Sequence, residues 1–231
     1  IEWIIVDDGE EEIKDLLPED KRIKYIKLNE KKSIGEKRNI ACENAKGEYI
    51  VCMDDDEYYT PESVKYRVAS LIHLNKNVVA CSSLGLFDIN KLISNVNISS
   101  YSVKYYHRIF EHTMGFRKSH WEKYKFDNTS LLESFNLIKN DINDYEDIYW
   151  EKIGISLKHY NNTNNRMEIQ GNTNGSHFNI NDELFDLITN IEESNDSDKE
   201  MIQKHKDELK EREEENIRKE KEFEHSINNS N

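Results

Sequence analysis

Apolar positions along the chain follow two rhythms, and where one gives way to the other marks the elements. Ile1, Trp3, Ile4, Ile5 and Val6 form a nearly continuous run that ends at Asp7-Asp8-Gly9, the pattern of a strand covered on both faces. Residues 23–28 alternate apolar and polar, as a second strand does. From Ile34 the spacing turns helical, with Gly35, Lys37 and Arg38 at its start and Ile40, Ala41 and Ala45 on one face, and Gly47 suits a C-terminal cap. Residues 49–53 return to strand and lead straight into Asp54-Asp55-Asp56. Pro61 opens a second helix over 62–75 with Val64, Val68, Leu71 and Ile72 as its apolar stripe, and residues 78–86 read as one central strand. The aromatic-rich middle, 91–155, reads as mixed strand and helix, with a short helix near 119–125.

Strand, helix, strand and acid cluster make a βαβ progression, in which ligands bind at the carboxyl ends of the strands. Both Asp7-Asp8 and Asp54-Asp55-Asp56 fall on that edge. The expected architecture is an α/β domain over residues 1–190, with a mostly parallel central sheet and helices on both faces. A charged tail, 191–231, follows, helical or disordered, since its apolar residues hold no heptad. The chain opens inside a strand and without Met, so the domain reads as lacking its first strand.

Charge and cysteine content narrow the function. A net charge of −14 argues against a nucleic-acid partner, which needs a basic face. An acidic protein can still hold a polyphosphate by placing a divalent cation between its carboxylates and the phosphates. Cys42, Cys52 and Cys81 form no Cys-x-x-Cys pair, so neither a disulfide framework nor a zinc site is indicated, and a reducing, cytoplasmic setting is expected. No apolar run approaches the roughly 18 residues of a membrane span, and no signal-peptide pattern opens the chain.

Three consecutive carboxylates after a buried strand repel one another unless a ligand takes up the charge. On a strand that is ending, Asp54 and Asp56 point one way and Asp55 the other. Two carboxylates on one side suffice for Mg²⁺ or Mn²⁺ that keeps waters and phosphate oxygens as its other ligands. A solvated turn capping the next helix is the bland alternative.

Taken in order, Ile5-Val6-Asp7-Asp8-Gly9, Gly35-Glu36-Lys37-Arg38-Asn39-Ile40-Ala41, Ala45-Lys46-Gly47-Glu48-Tyr49-Ile50 and Met53-Asp54-Asp55-Asp56 through Pro61 resemble the signature series of family 2-type glycosyltransferases of the GT-A fold, similar to forms associated with giant DNA viruses. The resemblance implies a metal-dependent, inverting transfer of a sugar from a nucleotide-diphosphate donor, UDP-linked by preference, to a hydroxyl of a glycan, protein or lipid. Asp7 or Asp8 would contact the nucleoside, Arg38 would lie near the nucleotide, and Lys37 near phosphate. Asp54, Asp55 and Asp56 would hold ribose and the metal, with Asp54 and Asp56 as its ligands.

The segment from Glu111 to Trp121, then Phe126-Asp127 and Leu132-Glu133-Ser134, resembles the acceptor side, where an acidic pair supplies the general base. Here the second member is Ser134, which leaves Glu133 as the candidate. Glu146-Asp147 is the rival pair, with a plain helix-terminal role as its alternative. His159 matches a histidine that completes the metal-diphosphate site, a role that weakly favours Mn²⁺; His177 is a weaker candidate. A nucleotidyltransferase, and a degenerate nucleotide-sugar-binding or scaffold protein, stay open as alternatives.

Overall fold

The structure is a computed structural model that describes residues 1–89, 93–98, 102, 104–139 and 142–158. The expected domain end at 190, the tail, His159 and His177 lie outside the described residues. The chain divides into two compact units, residues 1–86 with 96–156 and residues 87–95 with 157 onward. In the second, the Ile89 N–H donates to the Lys158 carbonyl at 3.0 Å and Lys158 Nζ lies 3.4 Å from Asp88.

The first unit begins with the parallel pair β1 (Trp3–Asp7) and β2 (Ile23–Lys27). The chain continues through α1 (Ile34–Asn44), β3 (Tyr49–Val51), β4 (Glu57–Tyr59), α2 (Ser63–His73) and β5 (Val78–Cys81). Next come β6 (Ser83–Asp88), β7 (Ile93–Ile98), β8 (Phe110–Arg117), α3 (Lys118–Tyr124), α4 (Phe135–Ile138), β9 (Tyr145–Asp147) and β10 (Gly154–Lys158). Ser33 and Glu36 start α1 with reciprocal side-chain and backbone hydrogen bonds, a capping box. Helix α1 ends at Asn44, with Ala45 extended. Gly47 is therefore not its cap, and its N–H instead donates to Glu2 Oε1 at 2.9 Å.

The central sheet has the order β3-β8-β5-β9. Its two faces separate cleanly on β5, where Val78 and Ala80 join a core with Cys42, Met114, Phe116, Trp121, Leu137 and Ile138. Val79 and Cys81 join the other, with Leu71, Ile148 and Ile153. Helices thus cover both faces, as a strand buried on both sides requires. The sheet is mostly parallel in direction, since β3, β5 and β9 all run the same way, and one strand, β8, is reversed. Strand β9 runs parallel to β5, but β8 is antiparallel to both β3 and β5, and β10 is antiparallel to β4. A parallel return needs a crossover segment. Among the described residues between β5 and β8 there is strand and no α-helix, so the chain re-enters at the edge where β5 ends and runs back.

Two further expectations shift. The strand expected over 78–86 breaks at Ser82 into β5 and β6. The buried face of α2 is Ser63, Arg67, Ser70 and Leu71, one residue out of phase with the apolar stripe, and Ile72 is exposed. Arg67 explains the rotation, because its buried guanidinium must face the backbone carbonyls that satisfy it.

Candidate active site

Glu2 Oε1 accepts the N–H groups of Lys46 and Gly47, where α1 hands over to β3. At the other end of α1, Asp8 Oδ2 accepts the Lys32 N–H at 3.0 Å and Arg38 reaches Asp54. Strands β1 and β3 therefore run the same way, and the two acidic clusters come to one edge.

The acid turn is held by its backbone. Arg67, wholly buried, donates from Nη1 to the Cys52 carbonyl at 2.7 Å and from Nη2 to Ser63 Oγ at 2.8 Å. Burial pulls its pKa down to about 10, which leaves it charged at neutral pH. Tyr59 Oη accepts the Asp54 N–H at 2.8 Å and donates to the His112 carbonyl at 3.4 Å. Beyond these anchors Asp54 and Asp56 are half-buried and Asp55 is exposed.

Arg38 joins the halves of the site. Its Nη2 donates to Asp54 Oδ1 at 2.9 Å and its Nε to Glu133 Oε1 at 3.0 Å. Two neighbours on α1 make that reach possible. Asn39 accepts the Trp121 Nε1–H and the Phe126 N–H and donates to the Phe126 carbonyl, tying the helix to α3 and the loop after it. Gly35 sits so close that an added Cβ would lie 1.8 Å from the Asp127 carbonyl oxygen, and its N–H donates to the Thr129 carbonyl at 2.9 Å. Only glycine lets α1 press against the loop that carries Glu133.

Asp7 and Asp8 are engaged internally. Burial opposes ionisation of Asp7, but the Tyr25 hydroxyl, the Gly9 N–H and Lys27 together hold its carboxyl down to about 2. Asp8 is likewise held below the usual range, against its burial, by the Lys32 N–H and Lys37. Lys37 Nζ lies 3.0 Å from Asp8 Oδ1, so the side chain expected near phosphate is paired with the aspartate expected near the nucleoside.

On the acceptor side the structure gathers Glu133 and Ser134 with a residue not singled out as a base. Ser134 Oγ donates to Glu111 Oε1 at 3.1 Å. Burial, and then the Glu133 carboxylate, push the Glu111 carboxyl up to about 7, against the pull of Arg38 and the Ser134 hydroxyl. Glu146 and Asp147 are not part of this gathering. They lie on β9, three strand spacings from β3 or roughly 14 Å, where Glu146 pairs with Lys76 at 3.3 Å and Asp147 accepts from Ser82.

Arg67 is the residue that pattern reading passed over, and Glu111 entered it only as the first residue of the segment resembling the acceptor side, with no role of its own. A charged residue one position off the apolar stripe of α2 was the available signal for Arg67. For Glu111 nothing local marked a role, because Ser134 lies 23 residues away in the chain.

Among the described residues, no group of three His, Cys, Asp or Glu side chains is arranged to hold a metal ion. The acid turn offers two half-buried carboxylates on a fixed backbone. That set fits Mg²⁺ or Mn²⁺ of the kind that takes one or two carboxylates and fills its other positions with phosphate and water.

The family model described as glycosyl transferase family 2 matches residues 1–140. No curated protein matches the chain. Among solved structures, TarS of S. aureus in complex with UDP-GlcNAc superposes with a TM-score of 0.50 at 14% identity, covering 68% of this chain and 50% of that one. TarS in complex with UDP gives 0.51 at 15% identity, with 68% and 51% covered. The likeness is one of fold, and the chain spans about half the length of these TarS chains.

Proposed function

The chain belongs to glycosyl transferase family 2, and from that membership we propose that it transfers a sugar from a nucleoside-diphosphate donor to an acceptor hydroxyl with inversion. The observation that carries the proposal is the double reach of Arg38, which sets the acid turn beside the Glu133–Ser134 segment. Donor and acceptor machinery thereby share one edge of the sheet.

In this reading Asp7 and Asp8 line the nucleoside end of the donor. Lys37, half-exposed beside Asp8, would turn to the diphosphate by exchanging its partner. Asp54 and Asp56 would hold Mn²⁺ or Mg²⁺, whose charge stabilises the departing diphosphate when bound, with Asp55 beside them toward the ribose. Arg38 stays on the protein, fixing the Asp54 carboxylate beside Glu133 and offsetting the repulsion between them. A UDP-linked donor is favoured, since TarS of the same fold has been solved with UDP and with UDP-GlcNAc. No helix among the described residues is long and apolar enough to cross a membrane.

The acceptor oxygen attacks the anomeric carbon on the face opposite the leaving group. The bond from that carbon to the phosphate oxygen breaks, and its electron pair leaves with the nucleoside diphosphate. A carboxylate on the acceptor side takes the hydroxyl proton.

A thermal-shift titration of UDP, GDP and their sugar conjugates, with Mn²⁺ and then with EDTA, tests the donor site. One nucleotide family should stabilise the chain only when metal is present. Asp56→Ala should lose that stabilisation and all measurable turnover. No shift with any nucleotide, or full activity in Asp56→Ala, removes the reading.

A further inference from the structure

We propose that Glu111 is the general base of this site, supplying from β8 the carboxylate that the Glu133–Ser134 pair lacks. The inference rests on the glycosyl-transfer reading above and names the residue that takes the acceptor's proton.

Geometry carries the assignment. With Val79 opposite Gly115, an unbroken antiparallel register would set Cys81 opposite Thr113; instead it lies opposite Phe110. Glu111, His112 and Thr113 are therefore extra residues, a bulge of the kind that re-aims side chains beside active sites. Thr113 closes the gap by accepting the Cys81 N–H on Oγ1 and donating to the Phe110 carbonyl. The bulge stands at the edge where the acid turn begins. The carbonyl of His112, next in the chain to Glu111, is joined to the Asp54 N–H through the single hydroxyl of Tyr59. From the other side, Ser134 donates to Glu111 Oε1, and Glu133, the residue before it, connects through Arg38 to Asp54.

Glu133 itself is poorly placed for the task. It is only 4% exposed, and Oε1 is committed to Arg38. Taking a proton there would leave the buried Arg38 with one partner fewer. Glu111 is partly exposed, and its Oε2 accepts no hydrogen bond from another described residue. The charged groups facing it are Glu133, from the segment before α4, and Arg38, from α1. The first raises its proton affinity, as burial does, toward the range in which a base works near neutrality. In the step, the acceptor O–H proton passes to Glu111 Oε2 as the oxygen bonds to the anomeric carbon and the nucleoside diphosphate departs with the electron pair of the broken bond.

The test uses UDP release from UDP-glucose, UDP-galactose and UDP-GlcNAc with Mn²⁺ and water as acceptor, alongside calorimetric binding of UDP. Glu111→Gln should lower the rate at least ~100-fold while UDP affinity stays within about twofold. The wild-type rate should rise through an inflection near neutrality that this variant lacks. Restoring an acid from the opposite side, in the double variant E111Q/S134D, should recover at least ~10-fold. A Glu111→Gln rate within about threefold of wild type, or an inflection abolished by Glu133→Gln and kept in Glu111→Gln, overturns the assignment. So does a wild-type chain that binds UDP but releases none from any of the three donors. A wild-type chain that binds no UDP removes the glycosyl-transfer reading itself, and this inference with it.

Discussion

The acid turn at Asp54–Asp56 and the cluster of Glu111, Glu133 and Ser134 are both carboxylate sites, and they solve charge repulsion in opposite ways. In the turn, the acids are consecutive and cannot separate, so they stay near water: the Asp54 side chain keeps 32% of its surface exposed. The cluster brings together acids from different elements, and the Glu133 side chain keeps only 5%. There the repulsion is relieved internally, by Arg38 on one carboxylate and by a raised proton affinity on the other. The contiguous acids keep their contact with water and share one guanidinium with the cluster, whereas the acids gathered by the fold also act on one another.

Arg38 is the link between the two, and its removal is the most severe way to break the comparison. Arg38→Met leaves Glu133 buried without its cation and should cost about 3–5 kcal/mol in urea unfolding. A cost below about 1 kcal/mol, the scale of a surface pair, means the two regions are electrostatically independent.

Gly35→Ala should cost about 2–3 kcal/mol, since the new Cβ meets the Asp127 carbonyl at 1.8 Å and forces α1 off the loop carrying Glu133. Metal-dependent UDP binding should suffer less than turnover in this variant, because the acid turn is anchored by Arg67 and Tyr59 instead. Equal losses would show that the turn depends on the α1 contact as well.

The smallest effect separates the regions by pH. Glu111 has its folded pKa raised, to about 7 from 4.5, so between those values the native state holds a proton that the unfolded chain has released. Its contribution is fully present below about pH 4.5 and is lost as pH rises through about 7, a slope worth on the order of 2 kcal/mol. Asp7 and Asp8, held low, act in the opposite sense and below that window: their contribution is present above 3.8 and is lost as pH falls, for Asp7 through about 2. Urea midpoints measured from about pH 5 to about pH 8 should therefore fall for the wild type and stay level for Glu111→Gln. A wild-type curve as flat as the variant's would mean that Glu111 titrates as an ordinary exposed acid.

Read from the sequence, the donor half was legible because its chemistry is contiguous. The run 49–56 carries both the strand and the acids that end it, and Arg38 lies within the helix read from the spacing after Ile34. Periodicities of two and of 3.6 residues record burial locally, so most elements could be placed without knowing what covers them. They do not record strand direction, which follows from how the chain returns between β5 and β8, nor the phase of α2, which an arginine's hydrogen bonds set against the apolar stripe.

The acceptor half could not be read in the same way. Ser134 looked like the loss of an acid, because the residue that faces it, Glu111, comes from another strand through a three-residue bulge. The sequence by itself determined which elements form and where charge must meet a ligand, since both follow from neighbours along the chain. Only the tertiary structure decided which carboxylates face one another, because that depends on distances between residues that no local pattern relates.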